Sequence, residues 1–323
     1  MGSSRIVVSG SQGFVGKHLR QALQARGVEV LGLDVPGSGA ELEQDLGAAD
    51  FEPERLARQV GPVSGIIYMA ARITRGSSVD APARANLRAI AEAPVRLLEA
   101  FHGLHGPTHL VYCSTYKSYG PALQQPIDPE RPPQRPDPHS YGSAKALAER
   151  LLVIAARRLG ARYAVVRPTC IYGPGQHLHN AIPRFLSACL AGEAPTVFGG
   201  GRDVRDDVLA SDLAYCLAEA CLRRAEGAFH AGGERARSIW EVAELCCSSV
   251  AALGGKQGLS PVLDPTRPPK WWLDQTFDIE RTRTLLGYTP TALLEGLQQE
   301  ARWLAAGAVA ARSIEFSPVR GAS

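Results

Sequence analysis

The chain has 323 residues, 45% of them hydrophobic, enough for a large core in one domain or two joined ones. Its 35 basic and 32 acidic residues nearly balance at a net charge of +3, which argues against a polyanion-binding surface but leaves room for a local phosphate site. The seven cysteines lack metal-ligand spacing, no secretory signal peptide is evident, and no apolar run approaches the ~20 residues of a membrane span; a cytoplasmic protein with reduced, mostly buried thiols is expected.

Strand-like segments at 6–9, 28–33, 64–69, 108–113 and 162–166 alternate with helical patterns at 16–26, 84–102 and 141–159. This alternation predicts an α/β fold, a Rossmann-type doubly wound parallel sheet with helices on both faces. After Arg167 proline and glycine become frequent, and helices are predicted at 180–192, 212–224 and 238–253. The proline-rich stretch 261–272 reads as an irregular connector, and the small-residue tail 305–323 as disordered.

The first strand runs into Gly10-Ser-Gln-Gly13-Phe14-Val15-Gly16. In such a turn the first glycine permits the tight bend and the second lets backbone approach a pyrophosphate. The third lets the helix pack closely, with its N-terminus facing the phosphates. The second strand ends at Asp34, 18 residues beyond Gly16, where a carboxylate can accept hydrogen bonds from both adenosine ribose hydroxyls. It would repel a 2′-phosphate, and Val35, Pro36 and Gly37 offer no cation for one, so NAD is expected rather than NADP. The expected division is an NAD-binding domain over 1–170, to which about 203–232 returns, and a smaller C-terminal substrate-binding lobe of 171–202 and 233–304.

Tyr141 and Lys145, at i and i+4, share one helix face. A free phenol is a poor base at neutral pH, and a nearby ammonium stabilises the phenolate. Upstream, Ser114 and Thr115 stand at the carboxyl end of a strand, where hydroxyls reach a ligand crevice. With these motifs the sequence resembles the extended short-chain dehydrogenase/reductase family, in particular its nucleotide-sugar epimerases and dehydratases, over roughly residues 5 to 304. Tyr68-Met-Ala70-Ala71, Asp45-Leu46, Asp80-Ala-Pro, Asn86, the run Arg167-Pro168-Thr-Cys-Ile-Tyr-Gly173, and Leu286-Gly-Tyr-Thr-Pro290 followed by Leu294-Glu-Gly-Leu297 match that family's segments in order. Three departures are Tyr68 for a usual His, Thr169 for a common Asn, and Ala144 for a frequent Ser. The resemblance implies that Tyr141 is the base, that Lys145 lowers its pKa and holds the nicotinamide ribose, and that Thr115 bonds the reacting oxygen. It also implies cofactor contacts from Gly10, Gly13, Phe14, Val15, Gly16, Asp34, Asp45, Leu46, Ala70, Ala71, Asn86, Ser114, Tyr141, Lys145 and Pro168.

The family's sugar dehydratases carry Asp-Glu after the Thr, and related decarboxylases a Glu; here Tyr116 and Lys117 follow Thr115. Without those carboxylates elimination lacks its acid and base, so reversible oxidation at one carbon is expected. With the resemblance, that predicts an NAD-dependent nucleotide-sugar epimerase acting at C4 through a transient keto-sugar. The alternatives are a ketoreductase on a ketosugar or other secondary alcohol, a dehydratase, or a non-catalytic NAD-sensing protein. Asn180, Arg205 and Arg267 resemble the family's diphosphate contacts. Lys117, with Arg72 and Arg75, could read a carboxylate on a uronic acid sugar. The resemblance further implies a homodimer through a four-helix bundle built from apolar faces of the helices over 84–102 (Ile90, Val95, Leu97, Leu98) and 141–159 (Ala144, Leu147, Ala148, Leu151, Leu152, Ile154, Ala155).

Overall fold

The computed structural model describes residues 4–71, 82–120, 125–131, 140–266 and 275–311. Arg72, Arg75, Asp80 and Arg267 lie outside the described residues. In chain order the elements are β1 (Arg5–Ser9), α1 (Phe14–Gln24), β2 (Glu29–Asp34), β3 (Leu42–Glu43), α2 (Pro53–Val60), β4 (Gly65–Tyr68), α3 (Pro82–Leu87), a π-helical turn (Arg88–Glu92), α4 (Ala93–His105), β5 (His109–Cys113), a 3₁₀ turn (Tyr116–Tyr119), α5 (Ser140–Leu159), β6 (Arg162–Pro168) and β7 (Cys170–Tyr172). They continue with α6 (Ala181–Leu190), β8 (Thr196–Phe198), β9 (Val204–Arg205), β10 (Asp207–Leu209), α7 (Ala210–Leu222), β11 (Gly227–Ala231), β12 (Arg237–Ser238), α8 (Ile239–Ala252), β13 (Val262–Asp264), α9 (Glu280–Leu286) and α10 (Leu293–Ala311).

The chain folds as two compact units, one of Met1–Ile171, Asp206–Ala236 and Asp274–Pro290, the other of Tyr172–Arg205, Arg237–Leu273 and Thr291–Ser323. Residues 274–290, expected in the smaller lobe, thus belong to the first unit. In that unit seven parallel strands form one sheet in the order β11-β6-β5-β4-β1-β2-β3. Both faces of the sheet are covered, so its strands read as nearly continuous apolar runs. Alternate residues serve opposite cores: Ile6, Val8, Val111 and Val166 pack with Leu19 and Leu23 of α1 and Leu213 and Leu217 of α7. Val7, Ile66, Leu110 and Tyr112 pack with Leu56 of α2, Leu97 and Leu98 of α4 and Leu152 of α5. The strand order reverses between β1 and β4, and an open α/β sheet binds its ligand at the carboxyl ends of the strands at such a point.

The single helix expected over 84–102 is interrupted by the π-helical turn. Tyr68 donates its hydroxyl to the Ala89 carbonyl of that turn, and Tyr112 donates to Ile90 O at 2.9 Å. The two stacked, fully buried rings thus pair carbonyls that lie in the irregular backbone, and the replacement of a usual His by Tyr68 is a packing and capping feature. On α5 most of the apolar face expected to meet a partner is buried within the chain: Ala144, Ala148, Leu152 and Ala155. Leu147 and Ile154 remain 42% and 64% exposed.

In the second unit α6, α8 and α10 pack on one another beside the parallel pair β8–β13 and the antiparallel pair β9–β12. The expected irregular connector over 261–272 is corrected at Val262–Asp264, which pairs with Thr196–Phe198. The expectation of disorder over 305–323 is corrected for 305–311, where α10 continues through Ala311 and successive alanines favour helix, while 312–323 lie outside the described residues. Gly296 lets α10 close onto Tyr172, whose hydroxyl oxygen would lie 2.0 Å from a Cβ at that position. A capping box, Ser238 with Glu241, starts α8. Among the described residues no helix is long and apolar enough to cross a membrane.

Candidate functional site

Gly10 follows β1 with φ +72°, a conformation that costs glycine little, and its amide donates to Leu33 O at 2.9 Å. A Cβ on Gly16 would stand 2.2 Å from Gly10 O, so this glycine seats α1 against the turn itself. Gly13 is the N-cap, and a Cβ there would meet nothing within 4 Å except Gly10 O at 3.2 Å. Its outer side is open, and the amides of Phe14, Val15 and Gly16 precede the first hydrogen bond of α1, from Lys17 N to Gly13 O. A pyrophosphate fits these donors and the positive end of the helix. Asp34 ends β2 and accepts from Gln12 N at 2.8 Å and from Val35 N at 2.9 Å, which fixes its carboxylate beside the glycine turn. The residues present therefore fit a dinucleotide carrying an unmodified ribose.

The rest of the expected cofactor contour is built by backbone fixation. Ser9 Oγ accepts from Met69 N and Ala70 N, holding the segment with Ala70 and Ala71 against β1. Asp45 Oδ1 accepts from Gly47 N at 3.0 Å, and Leu46 is buried. Arg88 donates to Gly47 O at 2.9 Å, tying that loop to the helical segment that carries Asn86. Pro168 ends β6, opposite Ala231 of β11.

Tyr141 lies in the first turn of α5 and Lys145 one turn on, with the ammonium nitrogen 5.9 Å from the Tyr141 ring centre. Lys145 is 1% exposed; its Nζ donates to Cys113 O at 2.7 Å and sits 4.5 Å from the Tyr112 ring centre. Burial lowers its pKa to about 8, with Cys113 and Glu149 opposing. Burial also raises the Tyr141 phenol well above its ordinary value. Thr115 precedes the 3₁₀ turn, buried, with Oγ1 accepting from Lys117 N at 3.4 Å, and α5 packs on that turn. Lys117 is exposed, and no described residue pairs with its ammonium. Tyr116 packs against Phe277 and accepts from Cys170 Sγ at 3.5 Å.

A set of buried polar residues was not anticipated from the sequence. Ser114 donates its hydroxyl to Glu149, which is held by Arg167 through Nε at 3.0 Å and Nη2 at 2.6 Å. Arg167 Nη1 also donates to Tyr119 Oη at 2.5 Å and Pro129 O at 2.7 Å. Tyr119 meets His230 Nε2 at 2.7 Å, and His230 Nδ1 lies 2.9 Å from Asp278 O. A carbonyl can only accept, so Nδ1 carries the proton and Nε2 accepts from the Tyr119 hydroxyl. Burial pushes His230 down to about 3, which keeps it neutral. The chain of bonds joins α5, the 3₁₀ turn, β6 and β11 immediately beside Thr115. One sequence signal pointed to it: Glu149 stands four residues after Lys145, on the same helix face.

In the second unit Asn180 is the N-cap of α6, and Arg205 lies on β9 opposite Arg237. Thr169, where the resembled family often has Asn, directs its hydroxyl to Asp206 at 3.4 Å in the first unit.

The profile of the NAD dependent epimerase/dehydratase family matches residues 6–232. The chain is 29% identical to the UDP-glucose 4-epimerase of Mycolicibacterium smegmatis, over 91% of this chain and 96% of that protein. It is 28% identical to a dTDP-4-dehydro-6-deoxy-D-allose reductase of a Streptomyces species, over 92% of this chain and 95% of that one. Among solved structures, MoeE5 in complex with UDP-glucuronic acid and NAD matches with a TM-score of 0.76 at 27% identity, over 95% of this chain and 100% of that one.

Proposed function

As the chain belongs to the NAD dependent epimerase/dehydratase family, whose enzymes use NAD, we propose that it inverts a hydroxyl-bearing carbon, C4, of a nucleoside-diphosphate sugar. The observation that carries this choice within the family is the turn after Thr115. Its residues are Tyr116, Lys117, Ser118 and Tyr119, without a carboxylate to drive elimination. Glu149, the buried carboxylate bonded to neighbouring Ser114, is engaged by Arg167.

In this reading Tyr141, as a phenolate stabilised by the Lys145 ammonium, takes the proton from the sugar hydroxyl and becomes the phenol, which returns that proton when the hydride returns. The Thr115 hydroxyl bonds the same sugar oxygen and holds it as it becomes a carbonyl. When bound, NAD supplies reversible hydride acceptance at that carbon. The glycine turn and the start of α1 hold its pyrophosphate, and Asp34 its adenosine ribose. Asp45, Leu46, Ala70, Ala71, Asn86 and Pro168 line the remainder. By their resemblance to the family's diphosphate contacts, Asn180 and Arg205 would bind the diphosphate of a sugar nucleotide.

Lys117, exposed and without a described ion pair, would recognise a carboxylate on the sugar. MoeE5 is solved with UDP-glucuronic acid and with UDP-glucose, so a uronic and a neutral sugar are both candidates here. Proton NMR with NAD and a panel of neutral and uronic UDP-, dTDP- and GDP-sugars in D₂O tests both statements. An inverted isomer without deuterium at the inverted carbon is expected, since the hydride leaves and returns. Lys117→Ala should lose turnover on uronic sugars but not on neutral ones; equal loss on both sinks the carboxylate role. A 4-keto product deuterated beside the ketone would mean dehydration instead.

A reductase reading is favoured by the 28% identical reductase. It requires consumption of NADH with a ketosugar and no isomer in the D₂O experiment. A homodimer is proposed through the outward residues Leu147 and Ile154 of α5, with half-buried Leu151 between them. Light scattering should then give twice the chain mass, and a monomeric mass at all concentrations refutes it.

A further inference from the structure

Three side chains converge over Gly32 of β2. A Cβ there would lie 2.2 Å from Arg20 Nη1, 2.6 Å from Glu41 Oε2 and 2.6 Å from Ser11 Oγ. Arg20, from α1, donates to Glu41 through Nη1 at 2.6 Å and Nη2 at 2.5 Å. Glu41 also accepts the Gly32 amide at 2.9 Å, so its carboxylate is fixed on three donors. Gly32 and Asp34 face the same side of β2, about 7 Å apart along the strand. Arg20 therefore stands one side-chain step from the carboxylate assigned to the adenosine ribose, on the side of Ser11 in the glycine turn. Over residues 34–43 the chain carries Asp34, Glu41 and Glu43 and no cation. Glu43 is bonded to the amides of Gly37 and Gly39, which closes that loop.

We propose that Glu41 is a specificity-determining residue for the cofactor: by holding Arg20 in a bidentate pair, it withholds the Arg20 guanidinium from a 2′-phosphate on the ribose. Discrimination against NADP then rests on two acids. Asp34 repels the phosphate, and Glu41 neutralises the cation that could receive it. The hydrogen bonds from Arg20 hold the Glu41 carboxyl down at about 2, so the pair persists at any working pH. This inference rests on the placement of the adenosine ribose at Asp34.

The test is calorimetric titration of the purified protein and its variants with NAD and NADP. Asp34→Ser should weaken NAD and help NADP little. Adding Glu41→Gln should tighten NADP about tenfold or more, the worth of one charge-assisted contact. Adding Arg20→Gln to that pair should erase the gain. Glutamine at 41 still offers an oxygen to the Gly32 amide, and thermal denaturation checks that each variant folds. Absence of the gain, or its survival in the triple variant, overturns the role of Glu41 and leaves the pair as a strap between α1 and β2. Unchanged NAD affinity in Asp34→Ser would instead overturn the ribose placement. In that event Glu41→Gln in the otherwise native chain still reads whether release of Arg20 admits NADP.

Discussion

Tyr141→Phe should lower kcat by about 10²- to 10⁴-fold, the usual contribution of a positioned general acid–base group, and leave NAD affinity nearly unchanged. The ring stays, with its place in the first turn of α5, and only the proton-carrying oxygen is lost. The size of the effect follows from the surroundings. Burial raises the phenol well above its ordinary pKa, so without help Tyr141 would hold its proton throughout the physiological range. The help available is the Lys145 ammonium, itself buried and pinned to Cys113 O one helical turn away. Both groups are desolvated, so a charge on one acts strongly on the other. Steady-state kinetics and NAD titration of the same preparation separate the readings. A sensor would keep its NAD response and show no turnover to lose. An enzyme that kept its kcat in Tyr141→Phe would have another base.

Most of the dinucleotide half could be read from the sequence because its signals are local. The glycine turn, the acid ending β2 and the apolar runs of five sheet strands each need only their neighbours along the chain. What escaped reading had weaker or longer-range causes. Helix α2 buries Leu56, Ala57 and Val60 behind a charged face, and Pro53 at its first turn was the available sign. The π-helical turn depends on Tyr68 and Tyr112, some 20 residues distant in sequence, delivering hydroxyls to Ala89 and Ile90. The return of about 203–232 to the first domain is expected, but the place of β11 in the sheet, next to β6 although about 60 residues separate them, is one that no local pattern announces. In the candidate site Tyr141, Lys145 and Thr115 were legible as a motif. The polar chain behind them was not, since its bonded partners lie between 18 and 111 residues apart. Prolines at 261 and 265 masked strand β13, and alanines after 304 read as a loose tail where they extend α10.

Glu149→Ala is expected to destabilise the protein by about 3–5 kcal/mol, because it leaves a buried guanidinium without its counter-charge. Arg167 and Glu149 are each about 5% exposed in their side chains and share three hydrogen bonds. Arg167 keeps Tyr119 and Pro129 O as partners after the substitution, but neither carries a full negative charge. Since a domain holds only about 5–15 kcal/mol in all, the variant should unfold at markedly lower urea and with reduced cooperativity. Removing both charges with volume kept, as in Glu149→Leu with Arg167→Met, should recover much of that loss, as the desolvation cost of the pair disappears with it. Recovery of stability need not bring recovery of turnover. Ser114 donates to Glu149, and Ser114 is the residue that sets the backbone entering Thr115; Tyr119, at the other end of the 3₁₀ turn, is held by Arg167. The double variant therefore folds around a turn that has lost the Ser114–Glu149 bond at one end and the Arg167–Tyr119 bond at the other. Its kcat should stay below that of the native chain even where its urea midpoint matches, while Tyr119→Phe, which removes one hydroxyl and keeps the aromatic packing on His230 and Phe277, should show a smaller loss of the same kind. A double variant with native stability and native kcat would reduce the buried network to a folding element alone.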